Sequence, residues 1–289
     1  MDPGRRLLLK ILPLLSLAPH ALAAQKPKRM PVLFIGHGSP MNALKNNDYT
    51  RVLNMLGQRL PKPRAILVIS AHWQTDWITA VQSDEHPETL HDFLGFPDEL
   101  DNMQYPAPGA PELAARARDL LGDAAKLDSR GYDHGAWTVL KHMYPMANVP
   151  VIQISIDMMQ LGPYHWLLGK ALSSLRDEGV LIIGSGNIVH NLRQTDDRLP
   201  DDQVASQGWA QRFDDMVAAL LARRDDRRLA ALSSLPYAQD AMPTADHYWP
   251  LMYALGAAYT DGGPMTLFSG FQGGTISMRC LLFGTMPRM

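Results

Sequence analysis

The segment PVLFIG at residues 31–36 runs without a break into His37-Gly38-Ser39-Pro40. Val32 to Ile35 are apolar in succession, with no polar residue to mark a wet face. Alternation would indicate a strand with one solvated side, whereas an unbroken apolar run bounded by turn residues indicates a strand covered on both sides. Similar runs occur at 65–70 (AILVIS), 150–156 (PVIQISI) and 180–184 (VLIIG), with later candidates at Met265–Phe268 and 276–283. Between them, helical spacing of apolar residues covers 49–60, Pro111–Leu121, 164–177, 207–223 and 247–259. Strands alternating with helices predict a single α/β domain with a central, mostly parallel or mixed sheet and helices on both faces. Residues 86–111 carry many Pro and Gly and little periodicity, which marks a long functional loop inside an otherwise compact unit.

The composition narrows the function. With 46% hydrophobic and 19% charged residues, the chain has the make-up of a globular protein rather than a disordered one. Its 27 basic and 29 acidic residues leave a net charge of -2, which argues against a nucleic-acid partner. A single cysteine, Cys280, excludes an intramolecular disulfide and any Cys-rich zinc motif, so a bound metal would need nitrogen and oxygen ligands. Gly184-Ser185-Gly186 is not a nucleophile elbow, because Ile183 stands where the first glycine belongs, and no phosphate-cradling loop is present.

The first residues read as an export signal. Arg5-Arg6 open a basic region, residues 7–17 are apolar apart from Lys10, Pro13 and Ser16, and Ala21-Leu22-Ala23-Ala24 offers small-residue cleavage sites. The arginine pair resembles a twin-arginine signal. The expected organisation is therefore a signal at 1–24 and one domain at 25–289. The mature protein is expected to be exported or periplasmic, with no stable membrane insertion once the signal is removed.

The histidines fall where such a fold places its chemistry. His37 follows the first strand run, His72 follows the second (Ser70-Ala71-His72-Trp73), and His190 lies a few residues beyond the VLIIG run. Open parallel sheets bind ligands beyond the carboxyl ends of their strands. His247, in Asp246-His247-Tyr248-Trp249-Pro250, stands at the expected start of a helix, whose positive end favours the neutral imidazole that ligates metal. Ser39, Asn187 and Asn191 are candidate hydrogen-bonding neighbours for these rings. His134 sits at a turn before a helix, and His91 in the irregular loop is a candidate lining residue. His86, His142 and His165 lack such settings and read as surface or packing residues.

Taken in order, Gly36-His37-Gly38-Ser39-Pro40-Met41-Asn42, Ser70-Ala71-His72-Trp73, His91-Asp92-Phe93, Tyr105-Pro106-Ala107-Pro108-Gly109, Asp133-His134-Gly135-Ala136-Trp137, 185–191 and Asp246-His247-Tyr248-Trp249-Pro250-Leu251 resemble the class III extradiol ring-cleavage dioxygenases. The closer resemblance is to their DODA-type branch, the 4,5-DOPA extradiol dioxygenases. It extends from about Met30 to the C-terminus. The resemblance implies that 25–289 is a catalytic domain opening a small catechol with O2 at one divalent metal, zinc or Fe(II). It implies His37, His72 and His247 as ligands, His190 as a fourth ligand or the acid–base residue, and His134 as an active-site residue. Ser39, His91 and Asn187 are the expected substrate contacts. Two histidines and one carboxylate are the usual Fe(II) set, whereas an all-histidine set suits zinc, so the donor set leaves the metal open. A zinc hydrolase on the same scaffold and a non-enzymatic periplasmic metal-binding protein are the alternative expectations.

Overall fold

The computed structural model describes residues 29–196, 198–199 and 208–286; the expected export signal at 1–24 lies outside the described residues. The strands are β1 (Val32–Gly36), β2 (Ala65–Thr75), β3 (Thr79–Gln82), β4 (Ala125–Asp128), β5 (Val151–Asp157), β6 (Val180–Gly186), β7 (Met265–Phe268), β8 (Phe271–Gln272), β9 (Ile276–Ser277) and β10 (Cys280–Phe283). The helices are α1 (Asp48–Arg59), α2 (Asp98–Asp101), α3 (Pro111–Leu121), α4 (His134–Met143), α5 (Gly162–Leu172), α6 (Gly208–Ala222), α7 (Asp226–Ala230), α8 (Ala238–Ala241) and α9 (Trp249–Ala257).

Eight strands form one sheet in the order β4-β3-β5-β2-β6-β1-β10-β7, and β8 and β9 pair separately. The centre is parallel: β5 with β2, β2 with β6, and β6 with β1. The sheet is mixed because β10 runs antiparallel to β1, β7 to β10, and β3 to β5. Successive strand residues feed opposite faces. Val32, Phe34, Leu67, Ile69, Ile152 and Ile154 pack into the layer with α3, α5, α6 and α9. Leu33, Ile35, Ile66, Val68, Val151 and Leu181 pack on the other side, against α1 and α4. This double burial is the physical reason that the strand runs are continuous rather than alternating.

Several boundaries differ from the sequence pattern. β2 continues to Thr75 instead of ending at Ser70, and its pairing with β5 slips between Ile69 and Gln74. The 276–283 run divides into β9 and β10, separated by Met278-Arg279. The short strands β4, at the edge, and β3, beside it, have no signature in the apolar pattern. The long loop expected at 86–111 is irregular apart from the single turn α2.

Candidate metal centre

The histidines come from five different stretches of chain: after β1, within β2, after β6, at the start of α4 and before α9. His37 leaves β1, its amide bonded to the Gly186 carbonyl at 3.2 Å. His72 sits within β2, not after it, in the stretch where the ladder with β5 slips; a strand irregularity of this kind re-aims a side chain. His190 follows β6 and is held by a bridge to Ile276. His247 precedes α9, and its carbonyl accepts from the Asn187 amide at 2.9 Å. His134 is the first residue of α4. Gly38, at φ +62°, turns the chain directly after His37; a Cβ there would stand 2.2 Å from Gln272 Oε1.

The rings converge. His37 and His72 bring their Nε2 atoms to 3.0 Å. The ring centroids of His247 lie 5.3 Å from His37 and 4.9 Å from His72. One ligating atom from each of the three lies within 4.8 Å of the others. Two imidazole nitrogens sharing a tetrahedral ion at metal–nitrogen distances of 2.0–2.1 Å stand about 3.3 Å apart, so the spacing fits a common ion. The tautomers fit as well. Ser185 donates its hydroxyl to the Gly135 carbonyl, so its oxygen accepts from His37 Nδ1 at 3.0 Å and leaves Nε2 with a lone pair. Asp246 accepts from His247 Nδ1 at 2.5 Å, and His247 Nε2 is buried with no protein partner. A buried lone pair without a partner is costly unless a ligand takes it.

His190 is placed differently. Its ring lies flat on that of His247, with centroids 3.5 Å apart and planes 6° apart, so it shadows the trio rather than joining it. His134 is clamped by Asp92, which accepts from its amide at 2.9 Å and from Nδ1 at 3.0 Å. His134 lies 3.9 Å from His72 between ring centroids. His72, Asp92 and His134 form a second potential ligand group that shares His72 with the first.

Burial, and then the positive charge that neighbouring histidines would carry, hold His37 and His72 well below the ordinary imidazole pKa. His190 is pushed down to about 3 by burial first and His247 second. All three are therefore neutral near pH 7, as metal ligation or proton acceptance requires. Burial would raise the Asp246 carboxyl, but the hydrogen bonds from His247 and Thr244 outweigh it and hold the group below the usual range. Asp92 is likewise held down by His134 against the opposing effect of burial.

The cluster forms the polar end of a cavity of about 570 Å³ whose other walls include Phe93, Phe96, Leu192 and Ile276. His37, His72, His134, His190, His247 and Ser39 all line it. Asn187 and His91 do not: the Asn187 side chain donates to the Ser277 carbonyl behind the site, and His91 Nε2 donates to the Met103 carbonyl. The expected hydrogen-bonding neighbours are replaced. Ser39 Oγ accepts from the Met41 amide and Asn191 donates to the Asp240 carbonyl, while Ser185, Asp246 and Asp92 serve the rings. Asp246 thus stands behind His247 as its hydrogen-bond acceptor. Asp92 and Ser185 were within the quoted motifs but carried no distinguishing signal of their own.

The family model described as the catalytic LigB subunit of aromatic ring-opening dioxygenase matches residues 31–270, a span that contains every one of these histidines. The chain belongs to the LigB family of aromatic ring-opening dioxygenases. Within it, this LigB-family enzyme is a DODA-type class III extradiol dioxygenase. It is 43% identical over 263 residues to the 4,5-DOPA dioxygenase extradiol of Escherichia coli K12, covering 89% of this chain and 95% of that one. It is 38% identical over 253 residues to the protein of the same name from Beta vulgaris, covering 84% of this chain and 92% of the relative. The crystal structure of an uncharacterized Escherichia coli K12 protein superposes with a TM-score of 0.77 at 38% identity, covering 89% of this chain and all of that one. LigB membership agrees with the expected fold and ring-opening activity, and gives no support to the zinc-hydrolase or non-enzymatic alternatives.

Proposed function

We propose that this enzyme opens the ring of a small, DOPA-like catechol beside its two hydroxyls, incorporating both atoms of O2, at one divalent ion held by His37, His72 and His247. The observation that carries the reading is the buried, unpartnered His247 Nε2 facing the His37 and His72 Nε2 atoms. A divalent ion held there supplies Lewis acidity toward the catechol oxygens and, as Fe(II), the electron exchange that dioxygen chemistry requires. The remaining work falls to the chain. Phe93, Phe96 and Ile276 hold the aromatic ring and keep water from it. His190, neutral and stacked on His247, accepts a phenolic proton and returns it later in the reaction. His134, its Nδ1 proton fixed on Asp92, presents Nε2 as a second proton acceptor.

Three nitrogens suit zinc, while Asp92 beside His72 and His134 is the carboxylate nearest to the usual Fe(II) set. An anaerobic preparation loaded with Fe(II) or Zn(II), then mixed with DOPA in air, distinguishes them. The expected outcome is a yellow ring-opened product with Fe(II) and none with zinc. No ring-opened product from any catechol with either ion would refute the proposal.

Export is proposed on the strength of residues 1–24. In cell fractionation the mature protein is expected in the periplasm, and replacing Arg5-Arg6 by two lysines should hold it in the cytoplasm. Unchanged distribution would reject the twin-arginine route.

A further inference from the structure

We infer that Asp92, His72 and His134 form an outer seat for a divalent ion, through which it enters on its way to His37, His72 and His247; this rests on the reading above that the trio is the ion's resting place. The donors are spaced for one ion. Asp92 Oδ2 stands 3.0 Å from His134 Nδ1 and 3.6 Å from His72 Nδ1. These distances bracket the roughly 3.3 Å between two donors of a common tetrahedral ion. One ligating atom from each of the three residues lies within 4.8 Å of the others. Two histidines and one carboxylate are an ordinary donor set for a divalent ion.

The protons point the same way. His37 Nε2 carries a lone pair, so at 3.0 Å it accepts from His72 Nε2. That uses the one proton of neutral His72, and its Nδ1 turns a bare lone pair toward Asp92. Burial would raise the Asp92 carboxyl, but the hydrogen bonds from His134 outweigh it and keep the group ionised. A lone pair facing a carboxylate oxygen at 3.6 Å, with no proton between them, is a place for a cation.

Access separates the two seats. The side chains of His72 and Asp92 are each 21% exposed, whereas His37 and His247 are 2% and 4% exposed. A hydrated ion therefore meets Asp92 before it meets the trio, and a carboxylate attracts it more strongly than a neutral imidazole does. At the outer seat His134 releases its Nδ1 proton and takes one up at Nε2, so the ring stays neutral. On transfer inward, His72 offers Nε2 to the ion, and the proton from that nitrogen is replaced by one on Nδ1, beside Asp92. His72 thus serves the two seats through opposite nitrogens, and only one seat is filled at a time.

The test follows zinc uptake by the full-length apoprotein, and zinc release to a chromogenic chelator, in stopped flow. Loss of a seat on the path slows both directions, whereas loss of a mere support for the trio speeds release. Asp92→Asn should therefore slow uptake and release by at least about tenfold each. His134→Phe, which removes another donor, should do the same, so a folding defect at Asp92 alone does not decide the outcome. In His247→Ala, where the trio is broken, an equilibrium titration should find a zinc site too weak to survive dialysis. Adding Asp92→Asn should weaken that site at least about tenfold further. Wild-type uptake in folded Asp92→Asn, or faster release from it, would overturn the inference. So would a His247→Ala protein with no residual site, or with one indifferent to Asp92. Each of these results leaves the trio standing; wild-type zinc affinity in His37→Ala would instead refute the trio, and the outer seat as its entrance with it.

Discussion

At the scale of single residues, the site separates side chains that could hold an ion from side chains that could move a proton. His37→Ala and His247→Ala should each lose bound metal by elemental analysis while circular dichroism retains the α/β signature. His190→Ala, whose ring stacks on His247 outside the ligating trio, should keep its metal and lose roughly a hundredfold to ten-thousandfold in turnover. Metal loss in His190→Ala equal to that in His37→Ala would make His190 a ligand. Asp246 fixes the proton on His247 Nδ1, so Asp246→Asn should weaken metal binding about 10- to 100-fold in a chelator competition. Four of the five histidines were legible because they stand beside a strand or helix end; His72 lies within β2, where the apolar pattern breaks off and mimics an end. Their supporting partners were not. Ser185 reaches His37 and Asp92 reaches His134 across long separations in sequence, and no local pattern marks which of many polar residues will make such a contact.

At the scale of elements, the parallel centre of the sheet was readable from double burial, because continuous apolar runs admit few other settings. The edges were not. β3 and β4 are four residues each, and β4 exposes Lys126 and Leu127, so neither carries a run long enough to stand out. The slip in β2 was also hidden: Ser70-Ala71-His72-Trp73 looks like the end of a strand because the pattern changes there, while the backbone in fact continues to Thr75. Junctions between elements set the site as much as the ligands do. A Cβ on Gly186, the last residue of β6, would stand 2.2 Å from the His247 carbonyl oxygen. Gly186→Ala must therefore push α9 away from β6, which should cost about 1–3 kcal/mol in urea unfolding and reduce metal affinity as well. Wild-type metal affinity in a folded Gly186→Ala protein would show that the His247 position tolerates the shift.

At the scale of the whole molecule, buried neutral imidazoles tie stability to pH. His165 in α5 is fully buried against Trp249 and Tyr253 of α9, away from the metal centre, and burial pushes its pKa down to about 4. The unfolded chain takes up this proton near the ordinary value of about 6.5, so unfolding gains a proton between those limits. Stability is complete above about pH 6.5 and falls as the pH drops toward 4, by up to about 3 kcal/mol from this residue. Urea titrations at pH 7 and 4.5 should show a smaller difference for His165→Leu than for the wild type; identical differences would assign the acid sensitivity elsewhere. The order of the strands has a further consequence. β1 is among the first strands to leave the ribosome, yet its neighbours are β6 and β10: Val32 faces Ile182 on one side and Phe283 on the other. The Gly36 amide, one residue before His37, donates to the Arg279 carbonyl at 3.1 Å. A nascent chain therefore carries its histidines unassembled until β10 has been made, and a chain stalled before β10 should bind no metal in a ribosome-display pull-down. Completion of the histidine cluster therefore waits on β10, and any ion it holds would be taken up only after that strand is in place.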